Sequence, residues 1–246
     1  MSPVIPRRTL PQAALCSKPE RAKLAADMAG AFLDALTETE AENLRSVGRP
    51  RAYGANDTLF HQGDEAGPVA VLLSGRAKVV SLSSAGREVI VAVRGPGDLL
   101  GELSAIDGEP RSATVTTLET VEALLIPGSA FAAFLERRPR VALVILRMVA
   151  GRLRYADAQQ ADFATHDVVG RVAHRLVELS ERFGAPAAGR IEIELPLSQE
   201  ELAAWTGASR EAVSKALQLL RSLQIVETGR RHVTVLDPEA LQRRAQ

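Results

Sequence analysis

From Pro139 to Ala164 the chain keeps a helical period broken only by Gly151, and this one helix carries two apolar stripes. Ala142, Leu146, Val149, Leu153, Ala156, Gln160 and Phe163 alternate four and three apart, tracing a coiled-coil-like seam. Val144, Met148 and Tyr155 mark a second side. A helix with two faces to bury needs two partners. The economical arrangement lays one stripe on the chain's own preceding domain and the seam on a second copy, which predicts an isologous homodimer. Burial of both faces inside one monomer is the alternative that periodicity leaves open.

The texture differs on either side of that helix. Residues 1–22 read as a loose arm, followed by helical patterns over Arg21–Leu36 and Glu38–Val47. From Arg51, short runs rich in valine, leucine and isoleucine (Val69–Leu73, Ala77–Leu82, Val89–Val93, Val121–Ile126) recur between glycines. That is the rhythm of a small antiparallel barrel or jelly roll. Beyond the long helix, Thr165–Asp167 is a candidate hinge, Asp167 an N-cap for a helix to about Phe183, Gly184–Gly189 a loop and Ile191–Leu195 a short strand. The expected domains are therefore 1–22 (arm), 23–138 (barrel), 139–166 (long helix and hinge) and 167–246.

Within the last domain, Ser198 with Glu201 forms a capping box, Gly207 permits a tight corner and Ser209 caps the next helix. On that second helix Val213, Leu217 and Leu220 share one face, leaving Arg210, Glu211, Ser214 and Lys215 on the other, where a recognition helix meets base edges. Residues 209–232 hold five basic side chains against two acidic ones. Ile225–Leu236 alternates about Gly229-Arg230-Arg231, as a β-wing whose turn reaches phosphates would. The whole chain has 30 basic and 30 acidic side chains, so only this local excess speaks for DNA. Ser198, Gln199, Ser209, Arg210, Glu211, Ser214, Lys215, Arg230 and Arg231 are the candidate DNA contacts.

In the barrel half, Gly97 to Ala105 followed by Pro110-Arg111-Ser112-Ala113 reads as a phosphate cradle. Gly101 lets the backbone approach closely, a short helical turn from Glu102 aims N–H groups at an anion, Arg111 supplies a charged fork and Ser112 a hydroxyl. Glu102, repelled by a phosphate, suits a ribose 2′-hydroxyl.

These two motifs, Gly-Glu-Leu with Arg-Ser-Ala and then Ser-Arg-Glu, are identified as those of the cyclic AMP receptor protein and fumarate-and-nitrate-reduction regulator (Crp/Fnr) superfamily, which the chain resembles from about Phe32 to Leu241. The resemblance implies an α+β fold: an N-terminal cyclic-nucleotide-binding jelly-roll barrel, a long dimerisation helix and a C-terminal winged helix-turn-helix. It implies a ligand set of Gly101, Glu102, Leu103, Ser104, Arg111, Ser112 and Ala113, joined from the long helix by Arg152, Ala156 and Asp157. By the same likeness Arg210, Glu211 and Lys215 read the major groove of a two-fold symmetric operator in double-stranded DNA, and an activator would touch RNA polymerase.

Two departures matter. Ala156 and Asp157 stand where the archetype of that family offers two hydroxyls to adenine, and Lys215 stands where it has arginine. Cyclic AMP is the first-choice effector. Asp157, where it turns toward the pocket, is an acceptor-only carboxylate that matches the N1–H and N2–H donors of guanine, so cyclic GMP is an alternative, with another nucleotide or no ligand beside it; where it pairs instead with Arg154 three residues earlier on the helix surface, it has no part in base choice.

Other classes fit less well. A cupin-like enzyme needs a metal in the barrel, and of the four histidines only His61 falls there. The lone Cys16 excludes an intrachain disulfide and a cysteine cluster, which also counts against the redox branch, and no histidine pattern suggests haem. A sensor subunit that docks on protein is countered by the polar, basic helix face. No stretch suggests a secretion signal or a membrane span, so the expected protein is soluble and cytoplasmic, without enzyme activity or metal.

Overall fold

The computed structural model describes residues 31–83, 86–194, 197–229 and 231–245, and of residues 161–165 the backbone alone. The expected arm, Cys16 and Arg230 lie outside the described residues, as does the side chain of Phe163. The helical pattern ending at Leu36 is corrected in its described part, where Phe32–Ala35 forms a single 3-10 turn. Thr37 is the reason: its capping box with Glu40 starts a new helix, α1 (Glu38–Val47), and Leu36 before it is extended.

Eight strands follow: β1 (Arg49–Tyr53), β2 (Thr58–Phe60), β3 (Val69–Ser74), β4 (Ala77–Leu82), β5 (Glu88–Arg94), β6 (Leu99–Leu100), β7 (Thr114–Thr117) and β8 (Val121–Ile126). They form two four-stranded antiparallel sheets, ordered β1-β8-β3-β6 and β2-β7-β4-β5. Strand β3 is buried on both faces. Ala70 and Leu72 join Phe60, Leu100 and Val115 in one core, while Val69 and Val71 join Leu99, Ile126 and Phe131 in another. The period-two pleat sends alternate side chains to these two layers.

The second layer is helical. Helix α2 (Glu102–Asp107) leaves β6, and α3 (Gly128–Glu136) and α4 (Pro139–Thr165) follow β8. On α4, Val141, Val144 and Ile145 are buried against the barrel and Met148 packs beside them. Leu146 and Leu153 on the seam are 62% and 63% exposed within the chain.

Helix α5 (Val168–Phe183) starts at Asp167, whose carboxylate accepts from the Gly170 N–H. The segment 184–189, read as a loop, contains a strand: β9 (Ala185–Ala187) pairs with β10 (Arg190–Glu194) through a tight turn at Ala188 and Gly189, both at positive φ. Three residues were too short a run to register as a strand. Helices α6 (Gln199–Thr206) and α7 (Arg210–Ser222), strands β11 (Val226–Gly229) and β12 (His232–Val235) and helix α8 (Pro238–Arg244) complete the chain, with a sheet ordered β11-β12-β10-β9. Leu176, Leu202, Trp205, Val213 and Leu220 are fully buried here, each contributing about 1.5–3 kcal/mol of apolar transfer. Their core continues into Val80, Ile90, Val93 and Leu118 of the barrel, so the two halves share one apolar interface.

Candidate functional site

The loop from β6 to β7 is built round one arginine. Gly101 has φ +76, and a Cβ there would lie 2.4 Å from Nη1 of Arg111. Only glycine tolerates both the backbone and that approach. Arg111 is buried, donates to the carbonyls of Gly101 (2.8 Å) and Pro68 (2.6 Å), and lies over the Phe60 ring at 4.2 Å from its centroid. Two of its five N–H donors are so used. Burial pulls its pKa below the usual arginine value, with Asp64 and Glu102 opposing.

Arg111 lines a cavity of about 580 Å³ together with Gly101, Glu102, Leu103, Ser104, Ser112 and Ala113. All seven cradle residues named from the sequence therefore meet at one space. Glu102 and Ser104 are buried, whereas Leu103 and Ser112 are exposed. From α4, Arg152 reaches the same cavity, where it pairs with the Glu102 carboxylate and donates to the Leu99 carbonyl at 3.1 Å. Ala156 also lines it. Asp157 is exposed and is not among the residues that line it.

The cavity has a wall that the sequence did not announce. Tyr155 and Gln159 of α4, Arg175 and Glu178 of α5 and Trp205 of α6 close it from the side of the C-terminal domain. Arg175 donates to the Tyr155 hydroxyl (2.7 Å), Glu178 (2.9 Å) and Gln159 (2.7 Å), and lies 4.9 Å from the centroid of a Trp205 ring. Burial raises the Glu178 pKa, but the Arg175 charge and the Tyr155 hydroxyl outweigh it and hold the carboxylate below its ordinary range. The Tyr155 phenol is pushed upward by burial and by Glu178, so it stays a donor. Arg94 lines the same cavity from the end of β5. None of these five, nor Arg94, is recognisable locally, because they come from positions spread between Arg94 and Trp205 on β5, α4, α5 and α6.

A second surface lies on α6 and α7. The Ser198–Glu201 capping box is present, Gly207 ends α6 at φ +61, and the Ser209 hydroxyl accepts from the Ala212 N–H to begin α7. Val213, Leu217 and Leu220 are buried, while Arg210, Glu211 and Lys215 are exposed and Ser214 half-buried. Ser198, Gln199 and Ser209 are exposed at the two helix starts. The β11–β12 turn presents Arg231, exposed and left-handed at φ +57. This solvated, basic helix face beside a β-hairpin has the layout of a DNA-reading unit.

Family profiles agree with this division. "Cyclic nucleotide-binding domain" matches residues 50–138, and "Crp-like helix-turn-helix domain" matches residues 170–244. A CRP-like cAMP-activated global transcriptional regulator of Mycobacterium tuberculosis is 35% identical over 204 residues, covering 83% of this chain and 89% of that one. The Cyclic AMP receptor protein of Thermus thermophilus is 30% identical, covering 84% and 93%. Among solved structures, FixK2 from Bradyrhizobium japonicum superposes with a TM-score of 0.72 at 24% identity, over 81% of this chain and 98% of that one, a likeness of fold.

Proposed function

This chain belongs to the Crp/Fnr family of DNA-binding transcription regulators, and on that premise we propose that a cyclic nucleotide, cyclic AMP first, is held in the barrel cavity and controls its grip on DNA. The observation that carries the reading is the convergence of Gly101, Glu102, Arg111 and Ser112 on one cavity whose far wall belongs to the helix-turn-helix domain. A cyclic phosphate fits the cradle: Arg111 keeps donors free, the Ser112 hydroxyl is exposed beside them, and the absent Cβ of Gly101 leaves room. Glu102 then accepts from the ribose hydroxyl while Arg152 neutralises it.

In this proposal Arg210, Glu211, Ser214 and Lys215 meet base edges, and Ser198, Gln199, Ser209 and the wing residues meet phosphates. The seam of α4 pairs two copies, so that two recognition helices address a two-fold symmetric operator. The protein works in the cytoplasm, with RNA polymerase as the further partner of an activator. No helix among the described residues is long and apolar enough to cross a membrane.

The test is a gel shift with operators selected from random sequence, with and without cyclic AMP, on wild type and Arg111→Leu. Wild type should shift DNA more tightly with the nucleotide. Arg111→Leu should lose that response at a cost of about 2–5 kcal/mol in nucleotide binding. Selected DNA bound equally by both proteins at every nucleotide concentration would remove the effector role.

A further inference from the structure

Four arginines line the cavity, and three of them have acceptors: Arg111 holds two backbone carbonyls, Arg152 holds Glu102 and a carbonyl, and Arg175 holds Glu178, Tyr155 and Gln159. Arg94 is the exception. Its side chain is buried, with the residue 7% exposed, and among the described residues its guanidinium has neither a hydrogen bond nor an ion pair. The nearby carboxylates are engaged elsewhere: Asp98 by Arg182 and the Gly95 N–H, Glu178 by Arg175 and Tyr155. Burial, aided by the charges of Arg152 and Arg182 and opposed by Asp98 and Glu178, pushes its pKa down to about 10, and it remains a cation at neutral pH.

A guanidinium on a nearly buried residue, with no protein acceptor among the described residues, has only the cavity to turn to, and a leucine or valine at the end of β5 would avoid the cost of its partial desolvation. The charge is therefore matched to something that enters the cavity. If the effector reading holds, the phosphate and ribose are taken by Arg111, Ser112 and Glu102, and the base is what remains to be recognised. The base acceptor that adenine and guanine share on one edge is N7, and guanine adds O6 beside it where adenine has an amine donor.

Resting on that reading, we propose that Arg94 is the base-reading residue of the cavity, donating its guanidinium N–H groups to the N7 edge of a cyclic purine nucleotide. One tooth of the fork meets adenine. Two meet guanine, so Arg94 favours a 6-oxopurine more than an adenine.

Calorimetric titration of the full chain with cyclic AMP, its 7-deaza analogue and cyclic GMP tests this. Wild type should bind 7-deaza cyclic AMP at least about tenfold more weakly than cyclic AMP, the loss of roughly one charge-assisted bond. Arg94→Leu should bind the two alike, lose more affinity for cyclic GMP than for cyclic AMP, and melt at a higher temperature than wild type without ligand. Arg94→Lys, which keeps the charge but not the fork, should retain the N7 discrimination and lose the extra gain on cyclic GMP. If wild type treats cyclic AMP and its 7-deaza analogue alike, or if Arg94→Leu keeps the discrimination, the guanidinium is solvated by cavity water only and the proposal is overturned while the effector reading stands. Absence of any cyclic-nucleotide binding by wild type would overturn both.

Discussion

Asp98 of the barrel and Arg182 of the helix-turn-helix domain form an ion pair, with Oδ2 and Nη2 at 2.6 Å and both side chains less than a tenth exposed. Arg182 also donates to the Val93 carbonyl, and Asp98 also accepts from the Gly95 N–H. Arg76 and Lys78 add contacts from β4 and the turn before it, to the Glu194 carbonyl and to Glu201. Asp98→Ala would leave a buried cation unpaired, a loss of about 3–5 kcal/mol. The double variant Asp98→Ala/Arg182→Leu should be more stable than Asp98→Ala in urea denaturation. Strict additivity of the single effects would mean that the pair is not coupled.

Gly101 and Gly108 share the same left-handed φ of +76, yet a Cβ at Gly108 would meet nothing within 4 Å. Both alanine variants should lose about 1–2 kcal/mol for the backbone. Gly101→Ala should lose more, because it displaces Arg111, and should weaken cyclic AMP binding, which Gly108→Ala should leave intact. Equal effects of the two substitutions would separate Gly101 from the arginine.

Leu146 and Leu153, exposed on the seam of α4, should be buried between two copies, at about 1.5–3 kcal/mol for each side chain. Sedimentation should find a dimer for wild type and a monomer for Leu146→Glu/Leu153→Glu. A dimer persisting in the double variant would place the interface elsewhere.

On DNA, Arg210→Ala should cost about 1–3 kcal/mol and relax selection at one position of each half-site. Arg231→Ala should weaken binding to every sequence and lower the salt slope by about one. Because Arg231 holds a left-handed φ, Arg231→Gly should weaken DNA binding as much but disturb the turn less. A uniform loss from Arg210→Ala would make it a phosphate contact.

Acid should act through Glu40. Its hydrogen bonds from Arg140, with further help from Thr37, hold its pKa down to about 2 against an ordinary 4.5. The unfolded chain therefore binds this proton first as pH falls, so the stability that Glu40 contributes is complete above about pH 5 and is lost towards pH 2. Thermal melts across that window should fall less steeply for Arg140→Leu than for wild type. Parallel curves would assign acid sensitivity to other carboxylates.

The helix-turn-helix was legible because its signals are local: Ser198 with Glu201, Gly207 and Ser209 each act within four residues. The cradle was legible for a similar reason, since Gly101 and Arg111 lie on one loop. Arg94 was not, because its neighbours Asp98, Arg152 and Glu178 come together only when β5, α4 and α5 pack. The Asp98–Arg182 pair spans 84 positions and leaves no periodic trace.

Trp205 is the chain's single tryptophan, and it stands 1% exposed where the cavity meets the helix-turn-helix domain, with the Arg175 guanidinium against its rings. All indole emission from this protein therefore originates at one spot. The regulator carries a built-in fluorophore, unlabelled and already positioned, whose spectrum reads the polarity and quenching of that wall without interference from any other indole.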